Sequence, residues 1–403
     1  MKINKVALSV FFAVGLTSTP LLAAMPVAPA GQPIVTGEPS RVGPPWNHRT
    51  TINIPGSKTD IAFGGYIKLD MMYDTDYDLG DATSPFNLLN PAANATDGRT
   101  DFTAYESRLN FRTHTQTDYG NLNTYLEVHF LPDGKLNLRH AYGDYAGFLA
   151  GHTWSNFMSF VGGTHTLALG DPIGYSMQRQ GQIRYTHKLG DGTLSAALEK
   201  PDTVIASPNV AIAKEESRLP DLTLRYEYQR MLALSGVVRE LSTNDKNLAN
   251  VVDDKTTGYG VQAQFSLPLL ASTKLNGSYV IGSGIGNYMG NPGNKGHRSA
   301  PDVYVRNGSL EAVDIQGGGV SLNHNWNPQW FSSIGYSRLE QDLPKNSGYD
   351  AHFDKVDYGF ANVIWGVTDR LMVGAEYQRV DLKTIGGDKR DANRLQLSAQ
   401  YQF

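Results

Sequence analysis

The sequence contains no cysteine among its 403 residues. That excludes a disulfide framework, a thiolate metal site and a cysteine nucleophile. It also lacks an excess of either charge: 35 Lys+Arg stand against 39 Asp+Glu, a formal net charge of -4. A general nucleic-acid binder needs a basic surface to neutralise phosphates, so no nucleic acid is expected as a partner. Beyond the N-terminus, no stretch approaches the roughly 18 consecutive apolar residues of a spanning helix. With a mean hydropathy of -0.34, the chain read as a soluble protein would hold two or three domains. The same hydropathy excludes only helical membrane proteins, because a wall built of strands alternates oily and polar residues. What the sequence has in quantity is glycine, 42 residues, and tyrosine, 21.

Lys2 and Lys5 precede an apolar stretch from Val6 to Leu16, followed by Thr17 to Pro20 and then Leu21, Leu22, Ala23 and Ala24. This is the pattern of a secretory signal peptide with cleavage near Ala24, so residues 1–24 are expected to be removed on export. The polar break before the small residues argues against a buried N-terminal helix. Residues 25–60 read as a proline-rich periplasmic segment: Pro26, Pro29, Pro33, Pro39, Pro44 and Pro45 recur among Gly and Ala without any apolar period.

From Ile61 the pattern becomes a strict alternation. Ile61, Phe63, Ile67, Leu69, Met71 and Tyr73 fall on one face and Lys68, Asp70 and Asp74 on the other. Successive side chains of a strand point to opposite sides, so such a run separates two different solvents. The alternation recurs to the C-terminus and predicts an all-β fold, a transmembrane antiparallel β-barrel of about 16 strands over 61–403. Connections after even-numbered strands are short, as at Asp118–Gly120, Gly190–Gly192 and Asn327–Pro328. Those after odd-numbered strands are mostly long, as at 75–102, 155–179 and 285–311. A soluble β-sandwich has no reason to sort loop length by parity, whereas an outer-membrane barrel keeps short turns periplasmic and long loops outside. Leu395, Leu397, Ala399, Tyr401 and Phe403 close the chain on an outward face ending in an aromatic.

A barrel of this size is too wide for side chains to fill, and 25–60 is too short for a plug domain, so an aqueous channel is expected. The register points Lys68, Arg108, Arg112, Arg139, Arg184, Arg225, Arg239 and Arg394 inward, against Asp70, Glu106, Glu127, Glu199, Glu227, Asp314, Asp357 and Glu376. The arginines gather in the first half of the barrel. Each either braces the wall through a nearby carboxylate or meets the solute, and the pattern leaves both readings open. The connection from Trp154 to Arg179, carrying Asn156, Phe157, His165, Asp171 and Tyr175, is too apolar to sit comfortably in water. It is expected to fold into the channel as a constriction, with a surface lid as the alternative. Loop 75–102, rich in aspartate, reads as a solvated rim whose spacing does not match a calcium loop.

Several motifs together carry a resemblance: Ile54-Pro55-Gly56 leading to Gly64-Gly65-Tyr66-Ile67-Lys68-Leu69-Asp70; Leu138-Arg139-His140-Ala141-Tyr142; Ala150-Gly151-His152-Thr153-Trp154-Ser155-Asn156-Phe157; and Arg179-Gln180-Gly181-Gln182-Ile183-Arg184-Tyr185. The chain resembles the DcaP-like porins over most of residues 50–403. The resemblance implies a 16-stranded homotrimeric outer-membrane channel for small anionic solutes such as dicarboxylates. It also implies a role for Arg108, Arg112, Arg139, Arg179 and Arg184 in the channel. Some family members carry a periplasmic coiled coil, and this chain has a proline-rich stretch without heptads in its place. Outer-membrane lipid and lipopolysaccharide are the expected surroundings, and no cofactor or metal is implied. The competing functions are a closed structural or adhesive barrel and a barrel-embedded hydrolase. The latter lacks a G-x-S-x-G elbow or an H-E-x-x-H helix, and its histidines are scattered.

Overall fold

A computed structural model describes residues 51–169, 172–206, 213–242, 255–289 and 300–403. The expected signal peptide, the proline-rich residues 25–50 and Asp171 lie outside the described residues. Sixteen antiparallel strands form the barrel wall: β1 Thr59–Asp74, β2 Arg108–Thr117, β3 Gly120–Phe130, β4 Leu136–Tyr145, β5 Phe148–Trp154, β6 Arg179–Leu189, β7 Gly192–Glu199 and β8 Asp221–Tyr228 make the first half. The second half is β9 Leu232–Ser242, β10 Lys255–Leu270, β11 Thr273–Ser283, β12 Asp314–Asn325, β13 Trp330–Asp342, β14 Phe353–Gly366, β15 Leu371–Thr384 and β16 Lys389–Gln402. Each strand pairs with the next, and β16 closes on β1 in a ladder from Tyr66↔Gln402 to Asp74↔Arg394. Closure leaves the wall no free edge, which is what allows a sheet to stand in hydrocarbon. The short strand Thr51–Asn53 adds to the start of β1.

The alternation is visible in exposure. Along β1, Ile67 is 53% and Leu69 49% exposed, while Lys68 is 0% and Asp70 3%. Outward aromatics ring both ends, with the stacked pair Trp330 and Trp365 (5.4 Å) near the short turns and Tyr73, Phe102 and Tyr377 towards the long loops. Turn length follows parity with two exceptions, the short links 131–135 and 385–388 after β3 and β15.

Two irregularities break the alternation where the chemistry is concentrated. Between β2 and its extension Arg99–Thr103, the four residues Ala104–Ser107 oppose only three of β1, since Tyr66 pairs with Arg108 and Asp70 with Thr103. In β4, Glu127 pairs with His140 and the next residue, Val128, with Leu138, so Arg139 is the extra residue of a bulge. Bulges re-aim side chains, and here Arg139 and His140 are both buried on the inner side while Leu138 stays outside.

The expectation that Asp314 and Asp357 face the lumen is not met. At the long-loop ends of β12–β15, it is Ile315, Leu339, Val356, Tyr358, Val380 and Leu382 that point inward and are buried. Outside, Arg338 Nε meets Asp357 Oδ1 at 2.5 Å and Arg379 Nη2 meets Asp381 Oδ1 at 2.8 Å. The inversion has a cause within the barrel. Residues 75–98, 284–289 and 300–302 fold into this half of the mouth and set Leu79, Phe86, Leu88, Ile285, Tyr288 and Met289 against those inward apolar residues. The outer ion pairs belong above the hydrocarbon, because an outward Arg or Lys at the bilayer midplane costs about 2–4 kcal/mol.

Loop 75–102 is therefore not a simple solvated rim. Arg394 grips Asp74 through two contacts of 2.6 Å and donates to the carbonyl of Gly80 at 2.7 Å. Arg239, also expected to line the lumen, is fully buried between Asp221 (3.1 Å) and Asp302 (2.9 Å) and ties down the segment after β11. Replacing one partner of such a pair strands the other as a buried charge, at a cost of about 3–5 kcal/mol. Arg394→Met is thus expected to lower the unfolding temperature of the detergent-solubilised barrel, and adding Asp74→Asn to restore part of it. Equal unfolding temperatures for wild type and Arg394→Met would show that the pair does not hold the loop.

Candidate functional site

The chain leaves the wall at Trp154, and residues 155–169 and 172–178 lie along the inside of the barrel. The start of this loop is seated by Glu199, which accepts from Ser155 Oγ (2.7 Å), Asn156 N (2.6 Å) and Thr223 Oγ1 (3.0 Å). The Phe157 carbonyl accepts from Ser235 Oγ on β9 at 2.5 Å. Farther along, Gly162 N donates to Gln264 on β10 (3.2 Å), Asn276 on β11 donates to the Gly163 carbonyl (2.8 Å) and Thr164 donates to Asn323 on β12 (3.0 Å). Gly162 has to be glycine, since a Cβ there would lie 2.1 Å from the Gly277 carbonyl oxygen. The far end is seated by Glu376 on β15, which accepts from Leu167 N (2.7 Å), Ala168 N (3.4 Å), Asn362 Nδ2 (2.9 Å) and Gln378 Nε2 (2.7 Å). Lys68 and Gln396 then donate to the Leu167 carbonyl at 2.5 and 3.1 Å.

The loop's hydrogen bonds to the wall thus run from β7 round to β1, while Met158, Phe160 and Tyr175 pack against Trp154 on β5. Of the residues expected to form its narrow part, Asn156 and Phe157 are fully buried, Phe157 edge-on to Tyr288 at 5.4 Å. Tyr175 clusters with Trp154, Met158 and Met177, and the His165 ring stands edge-on to Phe331 at 5.7 Å. These side chains face the wall and seat the loop.

The basic residues divide by what they touch. Lys68 pairs with Glu106 and with Asp70 (3.2 Å), and Arg225 donates to the Met158 carbonyl, so both hold the loop or its surroundings. Arg108 lies 3.3 Å from Glu106 and 3.8 Å from Glu127, and Arg139 Nε meets Glu127 at 3.0 Å. Glu127 also accepts from Tyr125 OH at 2.6 Å. Arg112 stacks over Tyr125 at 4.8 Å, and Arg179 over Trp154 at 4.8 Å. Among the described residues Arg179 and Arg184 make no ion pair, and both keep partial exposure. Glu199 and Glu376, which anchor the loop, carried no signal in the sequence beyond their inward parity. Parity does not place His140 inside, since it follows the inward Arg139; the signal for it is the successive polar pair Arg139-His140 within a strand, the mark of a bulge.

Beside this wall, towards the long loops, a cavity of about 490 Å³ is lined by Asp78, Asp81, Asp101, Glu106 and His129 among others. Arg99 bridges Asp78 (3.0 Å) and Asp101 (2.5 Å). Burial and the neighbouring Asp101 raise the Asp81 carboxyl above its usual range. Among the described residues no group of three His, Asp or Glu side chains is arranged to hold a metal ion.

A closed barrel with a polar lumen, an apolar outer belt and an inwardly folded loop defines a membrane diffusion channel. Comparison with known proteins gives it a family: the porin subfamily matches residues 51–400. The chain belongs to the porin subfamily. No match was found among curated proteins. Among solved structures, the outer membrane channel DcaP of Acinetobacter baumannii superposes with a TM-score of 0.75 at 22% identity, covering 88% of this chain and 100% of that one. OmpF of Salmonella typhi gives 0.54 at 12%, covering 88% and 100%. An anion-selective porin from Comamonas acidovorans gives 0.52 at 12%, covering 86% and 100%. At these identities the likenesses speak for the fold. Family and fold together place the protein in the bacterial outer membrane as a channel for solute diffusion.

Because Glu376 is the acceptor for four donors at the loop's far end, Glu376→Ala is expected to release Leu167 and Ala168 from the wall. Single-channel recording in planar bilayers should then show altered conductance with added current noise. A trace indistinguishable from wild type would mean the loop is held without this carboxylate.

Proposed function

We propose that this porin passes small hydrophilic solutes with a preference for anions, carboxylates and dicarboxylates among them. The observation that carries the reading is on β6, where Arg179 and Arg184 make no ion pair among the described residues while Glu106 and Glu127 of the neighbouring wall are already engaged. Fixed charge at the narrow part of a pore sets which ions enter it. The shared fold with an anion-selective porin is in keeping with this. We read the chain as a channel and not an enzyme, working as a homotrimer in outer-membrane lipid and lipopolysaccharide, with residues 1–24 removed on export.

Reversal potentials in a salt gradient across a planar bilayer test the preference. The wild type is expected to favour chloride over potassium, and Arg179→Gln with Arg184→Gln to shift the potential towards cations. An unshifted potential would leave those arginines without a part in selectivity. Light scattering and mass measurement on the purified protein in detergent are expected to report a trimer of chains beginning near Met25; a monomer, or a retained N-terminus, would contradict that part of the reading.

A further inference from the structure

Tyr288 belongs to the segment that follows β11, yet much of what it touches is the inner loop. Its side chain is fully buried, with the ring edge-on to Phe157 at 5.4 Å and under the Arg239 guanidinium at 5.3 Å. Its carbonyl accepts from Met177 N at 3.0 Å, so one residue touches the loop near both of its ends. The hydroxyl stands between two buried carboxylates, Asp221 Oδ2 at 2.9 Å and Glu199 Oε2 at 3.3 Å. Gln180 Nε2 reaches both that hydroxyl (3.1 Å) and Glu199 (2.5 Å). Among the described residues Glu199 forms no ion pair, so the carboxylate that seats Ser155 and Asn156 depends on neutral donors alone. The other side of Tyr288 is fixed from the outer mouth. Asp302, fully buried, accepts from Asn287 N and Val204 N, each at 2.8 Å, and pairs with Arg239 at 2.9 Å. Arg239 in turn pairs with Asp221 at 3.1 Å. Val204 and Asp302 lie where the strands Asp202–Ile205 and Val303–Arg306 meet in a four-stranded sheet built from the long loops. Polar contacts therefore run unbroken from that sheet through Asp302, Arg239, Asp221 and Tyr288 to Glu199 and Asn156.

We propose that Tyr288 is a positioning residue for the inner loop, one that couples the outer-mouth segments 284–289 and 300–302 to the seat of Ser155 and Asn156, so that the outer mouth sets where the loop stands in the channel. The inference rests on the chain being a channel and not on which ions it prefers. Packing of Phe157 on the Tyr288 ring holds the loop in place without making it follow the outer segment. The hydroxyl supplies that link, because a phenol has one proton and two carboxylates face it. Asp221 belongs with Arg239 and the outer segment, and Glu199 with the inner loop. A shift of residues 284–289 takes the hydroxyl away from Glu199 and Gln180 together. The buried carboxylate then loses a donor at the point where the loop begins, and charge-assisted bonds of this kind are the stronger ones. Coupling between separated sites is carried by contiguous packed and hydrogen-bonded groups, and this chain of contacts is one.

The test is the rate of transitions between current levels in single-channel recordings of the purified protein in planar bilayers. Tyr288→Phe keeps the ring against Phe157 and removes the hydroxyl, and it is expected to raise that rate about tenfold. Asp302→Asn touches no residue of the inner loop, yet it should raise the rate in the same direction by loosening the outer segment. If Asp302→Asn does not assemble, Arg239→Lys, which keeps the charge and loses the fork, takes its place with the same expectation. Because Tyr288 and Asp302 act along one chain of contacts, the double variant should show no more than the larger single effect. Tyr288→Phe combined with Glu376→Ala, which frees the loop's other end, should instead show the product of the two effects. That contrast separates coupling from a general loss of stability, which would treat both pairs alike. A wild-type rate in Tyr288→Phe, a wild-type rate in the outer variant, or outer and Tyr288 effects that multiply would each overturn the coupling while leaving the channel reading intact.

Discussion

Two buried carboxylates set the shape of the channel. Glu199 and Glu376 stand on opposite parts of the wall and receive the backbone N–H groups of Asn156 at one end of the inner loop and of Leu167 and Ala168 at the other. A loop inside a barrel has peptide groups that a strand would have paired, and each left bare would be expensive. Charge-assisted bonds to carboxylates are the stronger kind, so these two anchor points determine which part of the wall the loop covers. Everything else about the lumen follows from that choice of side. The strands behind the loop meet its peptide groups with Gln264, Asn276 and Asn362 and its Thr164 hydroxyl with Asn323, and Arg179 and Arg184 stand on β6, outside that set of strands.

The height of the wall and the filling of the mouth add to the same asymmetry. β5 has 7 residues and β7 and β8 have 8 each, while β10 has 16 and β14 to β16 have 14 each. The tall side can accommodate residues 75–98, 284–289 and 300–302 because its inner face there is apolar, and burial of Phe86, Leu88, Tyr288 and their neighbours is favourable by about 1.5–3 kcal/mol per large side chain. The low side instead carries the buried ion pairs of Arg108 and Arg139 with Glu127. There the wall is polar, and the neighbouring cavity leads past Arg99 and Asp81 towards Glu106 and His129.

The barrel was legible in the sequence because one physical rule governs most of it: lipid outside and water inside impose a period of two, and export imposes loop parity. The same rule fails where its premise fails. At the upper ends of β12 to β15 the outside is water and the inside is a packed loop, so Ile315 and Val356 turn inward and Asp314 and Asp357 outward. A pattern read with the opposite premise places those two aspartates in the lumen. Loop 75–102 was misread for a related reason, since its aspartates suggested solvent while Leu79, Phe86 and Leu88 decided where it packs. For the candidate site, parity identified the inward arginines but not their partners. Separating Arg108, held by Glu106 and Glu127, from Arg184, held by neither, needs distances across strands that no single strand encodes.

The bulge at Arg139 shows why bracing and solute contact need not be competing descriptions of this wall. In an unbroken strand, Arg139 and His140 would point to opposite sides, and one of them would face lipid. The extra residue brings both inside, where Arg139 takes Glu127 at 3.0 Å and the His140 ring packs between a tilted Tyr125 and an edge-on Trp154. Had Glu127 remained free, it would offset the positive charge of Arg179 across the same gap. By occupying that carboxylate with Arg139, Arg108 and Tyr125, the wall stiffens itself and at the same time leaves Arg179 the charge without an answering one.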